Sequence, residues 1–251
     1  MNKCPSESNP PFGIIGTQQS PIIIDPDEAV RAAYRPHHLR FHYGHCVAGT
    51  YVKENFVIKS TGDEGGLLLK EGDRDWFLRK IHMHNHIEHL LAGPRGERDD
   101  LYEMHLLHSS FGDREATGDL LVIAVFFRIS PEAPRKPSLY EFNAKTGEAN
   151  RANTAANDPG VSGNLDPHEF LPEWPEHRAD WFHYMGSLTS PPFREAVRWY
   201  VLHREIGVHP EDLDHLMVSA SQDARGVLPL FRRFVIWNFQ SSDDYSSGTS
   251  A

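Results

Sequence analysis

The sequence predicts a mainly β protein, on three observations. Eight consecutive apolar residues at 120–127 have the length of a strand that is buried on both faces. Histidines alternate with apolar residues at 81–84, and alternation with a period of two is typical of a half-buried strand. No linker or internal repeat divides the 251 residues, so we expect one large β domain rather than two ordinary ones.

The expected elements follow in chain order. Strands are predicted at residues 51–59, 66–70, 76–84, 101–108 and 120–129. Residues 144–166 read as a polar connection with about one helical turn, 192–202 as a short helical start before a strand, and 209–219 as a short helix. We expect an irregular N-terminal segment at 1–16, the single domain at 17–240 and a flexible polar tail at 241–251.

Composition and charge exclude several classes of partner. A formal net charge of −10 argues against a nucleic-acid or anionic-membrane partner, because either would need a basic patch. The longest apolar run is far too short to span a bilayer. The N-terminus lacks the apolar core of a signal peptide, and two cysteines do not make a disulfide framework. These features favour a cytoplasmic location, or a periplasmic or secreted one if a leader was removed.

The histidine pattern is the most informative feature of the chain. A strand sends alternate side chains to one face, so His82 and His84 point together, and Glu103, His105 and Leu107 share a face in the same way. Three neutral imidazoles with one open position are the ligand set of a catalytic zinc site. With 16 histidines in the chain, about one His-x-His pair is expected by chance.

Spacing alone therefore leaves the ligand set open. His86 extends the same face of the first strand, and His89 and His108 lie close by. A bare His-x-His pair is more often a core or surface feature than a metal site. The surrounding motifs decide between these readings.

Several motifs resemble, in order, those of the α-class carbonic anhydrases over roughly residues 17–240. One piece would be a weak signal, whereas eight pieces in the right order are specific. The matching stretches read QSPI (19–22), IHMH (81–84), EH (88–89), YEMHLLH (102–108), LLVIAVFF (120–127), YMGSLTSPP (184–192), WYVL (199–202) and LPL (228–230).

The resemblance implies a fold, a cofactor and a reaction. The fold would be a large twisted, mostly antiparallel sheet of about ten strands with short peripheral helices. The cofactor would be Zn²⁺, held by His82, His84 and His105, with Glu103 accepting a hydrogen bond from His105. The reaction would be reversible hydration of carbon dioxide to bicarbonate and a proton, by attack of hydroxide held on the zinc.

Further site residues are implied by position in the same motifs. Thr189 and Glu88 match the pair that aligns the hydroxide: a hydroxyl that donates to a buried carboxylate must accept the hydroxide's proton. Glu54 falls near the family's proton-shuttle histidine. Carbon dioxide has no net dipole, so its pocket should be apolar. The matching wall consists of Leu107, Val122, Leu188, Val197 and Trp199.

Four departures from the family pattern bear on function. A carboxylate at Glu54 is a poorer proton relay than imidazole at neutral pH, which predicts turnover limited by proton export. Lys80 replaces a family glutamine that accepts a hydrogen bond from the first zinc ligand, here His82. An ammonium cannot accept a hydrogen bond. Asn85 and Ser109 replace common tryptophans. Two alternatives stay open: a zinc enzyme that acts on another small electrophile, such as an activated ester, and a non-catalytic binding protein on the same scaffold.

Overall fold

The protein is described by a computed structural model. It describes residues 16–32, 38–52, 55–59, 66–84, 86–92, 101–152, 160–173, 179–213 and 224–238. Several expectations lie outside the described residues: nearly all of the irregular N-terminal segment, the shuttle position Glu54, the substituted Asn85 and the tail at 241–251.

Within these ranges the strands form one twisted sheet of thirteen and a separate pair. This confirms the predicted mainly β fold, with more strands than the ten expected. In chain order the strands are β1 (Ile23–Ile24), β2 (Val30–Arg31), β3 (Leu39–Tyr43), β4 (Val47–Val52), β5 (Asn55–Ile58), β6 (Leu67–Glu71), β7 (Arg74–His84), β8 (Leu90–Leu91), β9 (Leu101–Ser109), β10 (Leu120–Ile129), β11 (Val161–Leu165), β12 (Trp181–Ser187), β13 (Glu195–Leu202), β14 (Ile206–Val208) and β15 (Ile236–Trp237).

The order of strands places the histidine segments in the middle of the large sheet. Its main path runs β11-β4-β5-β7-β9-β10-β13-β12-β15-β2, with β14 beside β10 and with β6 joining β3 to β7. Neighbours are antiparallel except for β10 with β13, β10 with β14, and β15 with β2. Strands β7 and β9 therefore each have a hydrogen-bonded neighbour on both edges, and their side chains are held in fixed register.

Strand β10 separates two hydrophobic cores. Its odd-numbered residues from Leu121 to Phe127 pack into one core, and its even-numbered residues from Leu120 to Phe126 pack into the other. Successive side chains of a strand point to opposite faces, so a strand that is buried on both faces is apolar throughout. The prediction from the apolar run is confirmed, including its bounds at 120 and 129.

Some local predictions were wrong. The expected single strand at 51–59 is two strands, β4 and β5, which pair antiparallel with Val52 opposite Asn55. The chain reverses there without an Asn-Gly or Asp-Gly signal. Residues 192–202 contain strand β13 but no helical start. Of the helix expected at 209–219, the structure shows a 3₁₀ turn at Pro210–Asp212, and residues 214–219 lie outside the description.

The first nine residues of the expected polar connection, 144–152, belong to an α-helix, α1 (Pro137–Ala152), which begins before that connection. It begins with proline at its first turn, where the missing N–H costs nothing. Leu139, Phe142 and Ala149 are buried on the face that packs against the sheet. Gly147 and two asparagines lower its intrinsic helix propensity, so tertiary packing decides its conformation. Among the described residues, no helix has the length and apolar character that crossing a membrane requires.

Candidate metal centre

Strands β7 and β9 bring three histidine rings together. In the antiparallel register His82 lies opposite His105, and His84 lies opposite Glu103. The ring centroids of His82, His84 and His105 form a nearly equilateral triangle with sides of 4.9, 4.9 and 4.7 Å. Alternation along one strand and cross-strand pairing with the next are sufficient to place all three rings at one point.

The nitrogen atoms of this triad suit a shared ion. His82 Nε2 and His105 Nδ1 lie 3.2 Å apart. Two nitrogens bonded to one tetrahedral zinc at about 2.0–2.1 Å lie about 3.3 Å apart. Both ring nitrogens of His84 are buried without a hydrogen-bond partner among the described residues. Buried polar atoms are rarely left unsatisfied, so these orphaned nitrogens indicate a ligand that the protein atoms do not supply.

Burial also keeps the rings in the form that binds metal. It lowers the pKa of His82 well below its ordinary value, and the neighbouring His105 and His84 act in the same direction. Burial lowers the pKa of His84 to about 4, although the carboxylate of Glu88 opposes the shift. Both imidazoles are therefore neutral at pH 7, with a lone pair available to a metal.

Glu103 orients the third ring of the triad. Its Oε1 accepts a hydrogen bond from His105 Nε2 at 2.8 Å, which leaves His105 Nδ1 facing His82. Its Oε2 accepts the backbone N–H groups of Glu88 and His89, at 2.7 and 2.8 Å. Burial alone would raise the pKa of this carboxyl, but the contacts with His89 and His105 outweigh it and hold the pKa well below the usual range. A carboxylate held in this way can orient the ring of His105, and the orienting role of Glu103 stays a prediction.

His89 is a site residue whose role sequence reasoning missed. Its Nδ1 lies 2.6 Å from Glu103 Oε1, and its Nε2 lies 2.7 Å from the hydroxyl of Tyr184. Tyr184 in turn donates to Ser20 Oγ at 2.8 Å. The motifs that contain these residues were recognised, but no spacing rule joins three segments so far apart in the chain. The network ties the loop after β7 to β12 and to the N-terminal segment of the described chain.

Glu88 and Thr189 are not joined by a hydrogen bond among the described residues. Glu88 Oε1 accepts the backbone N–H of Arg225 at 3.0 Å. Its Oε2 is buried without a hydrogen-bond partner and lies 3.4 Å from His84 Nε2. Thr189 is half-buried in the loop after β12. The carboxylate thus approaches the triad directly, and the hydroxyl-aligning role of the pair stays a prediction.

Two of the departures from the family pattern have structural consequences. His82 Nδ1 is buried and has no acceptor among the described residues, and the ammonium of Lys80 cannot supply one. Burial lowers the pKa of the Lys80 ammonium. Ser109 accepts a hydrogen bond from the guanidinium of Arg79 at 2.8 Å. Arg79 is 6% exposed and lies at the irregularity in the β7–β9 register, where the sequence carried no signal of a buried charge.

The predicted apolar wall is brought together beside the triad. Val122 on β10 lies opposite Leu107 on β9 and beside Trp199 on β13. The ring centroid of Trp199 lies 4.8 Å from that of His105. All the predicted wall residues belong to or pack against the second core: Leu107, Val122, Leu188, Val197 and Trp199.

The fold and the site have two defining features. The central strands of a large twisted sheet carry a cluster of three histidines, and an apolar wall lies beside this cluster. Residues 7–234 match the family model described as eukaryotic-type carbonic anhydrase, and the chain belongs to this family.

Similar proteins include two named carbonic anhydrases and a dioscorin. The chain is 30% identical over 233 residues to "Alpha carbonic anhydrase 3" of Arabidopsis thaliana, covering 90% of this chain and 76% of that one. It is 31% identical over 173 residues to a carbonic anhydrase of Nostoc sp., covering 68% of this chain and 57% of that protein's length. It is 27% identical over 237 residues to Dioscorin DB3L of Dioscorea polystachya, covering 91% and 78%.

A solved structure supports the same relationship. The α-carbonic anhydrase of Thermovibrio ammonificans, solved with the inhibitor sulfanilamide, superposes with a TM-score of 0.65. It is 26% identical, and the match covers 88% of this chain and 87% of that one.

Proposed function

We propose that this protein is a zinc-dependent carbonic anhydrase that interconverts carbon dioxide and water with bicarbonate and a proton. The observation that carries the proposal is the triangle of His82, His84 and His105, with ring centroids 4.7–4.9 Å apart on neighbouring strands. Membership of the carbonic anhydrase family supports the choice of reaction.

The donor set fits zinc. Neutral imidazole is a borderline base, and zinc accepts three such ligands in a tetrahedron with one position left for solvent. When bound, zinc supplies a Lewis acid that lowers the pKa of a water molecule, as is established for carbonic anhydrases. Calcium and magnesium, which prefer oxygen ligands, do not match three imidazoles.

The chain's own residues supply orientation and exclusion of water. Glu103 holds His105 with Nδ1 toward the centre of the triangle. The buried side chains of Leu107, Val122 and Trp199 form an apolar surface beside the triad. A molecule without a net dipole, such as carbon dioxide, loses little hydration on such a surface, whereas an ion loses much.

Proton export is the step that the sequence makes slow. We infer that Glu54 stands where the family has a histidine relay, and a carboxyl of ordinary pKa passes protons poorly near neutral pH. We therefore expect added imidazole buffer to raise the plateau rate of carbon dioxide hydration. A plateau rate that does not respond to buffer would show that export is not limiting.

The decisive experiment measures zinc content and stopped-flow carbon dioxide hydration on the same preparations. Wild-type protein should hold zinc at the triad and hydrate carbon dioxide, and sulfanilamide should inhibit it. His105→Ala should lose zinc and activity together. His42→Ala, which changes an exposed histidine on β3, is the matched control. Zinc binding with hydrolysis of an activated ester but no hydration would refute the proposal in favour of another electrophile.

A further inference from the structure

A second cluster of metal-binding side chains lies far from the triad. His45 occupies the turn between β3 and β4, and Asp166 and His168 follow β11. One possible ligand atom from each residue lies within 4.8 Å of the other two. Strand β11 ends the main path of the sheet, four strands away from β9. The cluster is therefore separate from the candidate catalytic centre.

The backbone orients two of the three side chains. His168 Nε2 donates to the carbonyl of Tyr43 at 2.9 Å. The neutral ring then carries its lone pair on Nδ1, for which the structure gives no partner among the described residues. Donation of the second ring nitrogen to a backbone carbonyl is the usual way in which proteins orient a ligating histidine. Asp166 Oδ1 accepts the backbone N–H of His168 at 2.9 Å, which fixes the carboxylate in turn.

The third side chain is exposed and adjustable. The side chain of His45 is 81% exposed, and its Nδ1 lies 2.7 Å from Asp166 Oδ2. The ring centroids of His45 and His168 lie 4.7 Å apart, which is also the distance between the ring centroids of His84 and His105. Because the His45 ring is exposed, it can rotate to turn a lone pair toward the other two donors.

We propose that His45, Asp166 and His168 form a second metal site, which takes a zinc-class ion from solution. Two imidazoles and one carboxylate favour Zn²⁺ or Cu²⁺ over Ca²⁺ and Mg²⁺, which prefer an all-oxygen shell. The bound ion links a turn to a segment 121 residues further along the chain. Because it binds the folded state, it stabilises that state by an amount that rises with the logarithm of the ion concentration once this exceeds the dissociation constant.

The test uses Zn²⁺ alone as the probe, because the ion does not oxidise the exposed thiol of Cys46. Zinc-loaded wild-type protein is titrated with more Zn²⁺ by calorimetry, and ¹⁵N spectra of the histidine rings are recorded in parallel. We expect a second equivalent to bind, with resonances of His45 and His168 shifting while those of the triad stay unchanged.

Two variants and one control make the outcome decisive. His45→Ala alters an exposed side chain and should fold normally; His168→Ala removes the oriented ring. Each should weaken the second binding event roughly tenfold or more, and His42→Ala should not. Zinc binding that is unchanged in both variants, or the absence of a second equivalent, would overturn the site and leave His45 and Asp166 as an ordinary surface pair. Neither result depends on hydration activity, so the proposal fails or stands apart from the proposed function.

Discussion

At the scale of single residues, His82 lacks the orienting hydrogen bond that His105 has. His105 is held by Glu103, whereas His82 Nδ1 is buried without an acceptor among the described residues. A ligand whose second nitrogen has no partner binds metal more weakly, because its ring is not fixed and its basicity is not raised. The lysine at position 80 explains the difference, since an ammonium has no lone pair to offer.

Replacing this lysine should therefore strengthen zinc binding. Lys80→Gln supplies a carbonyl oxygen for His82 Nδ1–H, and Lys80→Met removes the charge without supplying an acceptor. We expect the glutamine variant to release zinc to a chelator about tenfold more slowly than the methionine variant. Equal release rates would mean that no hydrogen bond forms and that charge alone matters.

Replacing Glu103 should strongly destabilise the protein. Four N–H groups converge on its two oxygens, and the charged form matches them all. Glu103→Gln replaces an acceptor oxygen with an NH₂ group that faces other donors, so we expect a loss of about 3 kcal/mol in the free energy of unfolding. Urea unfolding of the metal-free protein measures it. Glu148→Gln, on the exposed face of α1, should change stability by less than about 0.5 kcal/mol.

The sequence predicted the residues of the triad but not all of their partners. Alternation on two strands and the family motifs gave His82, His84 and His105, because the period of a strand alone fixes which side chains share a face. The roles of His89 and Arg79 depend on contacts between distant segments. No local pattern encodes such contacts, so these residues emerge from the fold alone.

At the scale of elements, β10 is the central support of the molecule. Its two faces are buried in different cores, so a substitution can weaken one without touching the other. Ile123 lies in the core that does not include the apolar wall. Val122, its neighbour, lies in the wall.

Ile123→Ala should thus destabilise the protein without impairing zinc binding. The cavity left by the lost side-chain atoms predicts a loss of about 3 kcal/mol in the free energy of unfolding. Val57→Ala, at an exposed position of β5, should cost less than about 1 kcal/mol. If the Ile123 variant lost zinc as readily as His105→Ala, the two cores would be coupled and this description of β10 would be wrong.

Elements were predictable where one physical signal dominates. The apolar run of β10 fixed that strand to the residue, because only burial on both faces explains such a run. Helix α1 was not predicted, because its glycine and asparagines lower the intrinsic helix propensity of the segment. Packing against the sheet stabilises the helix in spite of that propensity. The reversal of chain direction from β4 to β5 was not predicted either, because the residues between these strands carry no strong turn preference.

At the scale of the whole molecule, buried neutral histidines make stability depend on pH. Burial lowers the pKa of His183 to about 4, with nearby Arg198 and His38 acting in the same direction and the Trp199 carbonyl and Glu71 opposing it. The unfolded chain binds a proton near pH 6.5, so it holds more protons than the folded protein between that pH and about pH 4. The contribution of the neutral His183 to the free energy of unfolding is therefore fully present above pH 6.5, and it is lost as the solution is acidified toward pH 4.

Removing this histidine should flatten the acid limb of the stability curve. In the metal-free protein, His183→Gln should reduce the slope of unfolding free energy against pH near pH 5 by about 1.4 kcal/mol per pH unit, the value for one proton. Urea titrations at several pH values measure the slope. Parallel curves for wild type and variant would show that His183 is not held neutral by the fold.

The proposed function requires three imidazoles from β7 and β9 to share a single zinc ion. Anomalous diffraction at the zinc edge, on crystals of the zinc-loaded protein, tests it most directly. We expect one strong peak within about 2.0–2.1 Å of a ring nitrogen of each of His82, His84 and His105. Zinc bound elsewhere with the triangle empty, or a peak that contacts fewer than three of these rings, would contradict it.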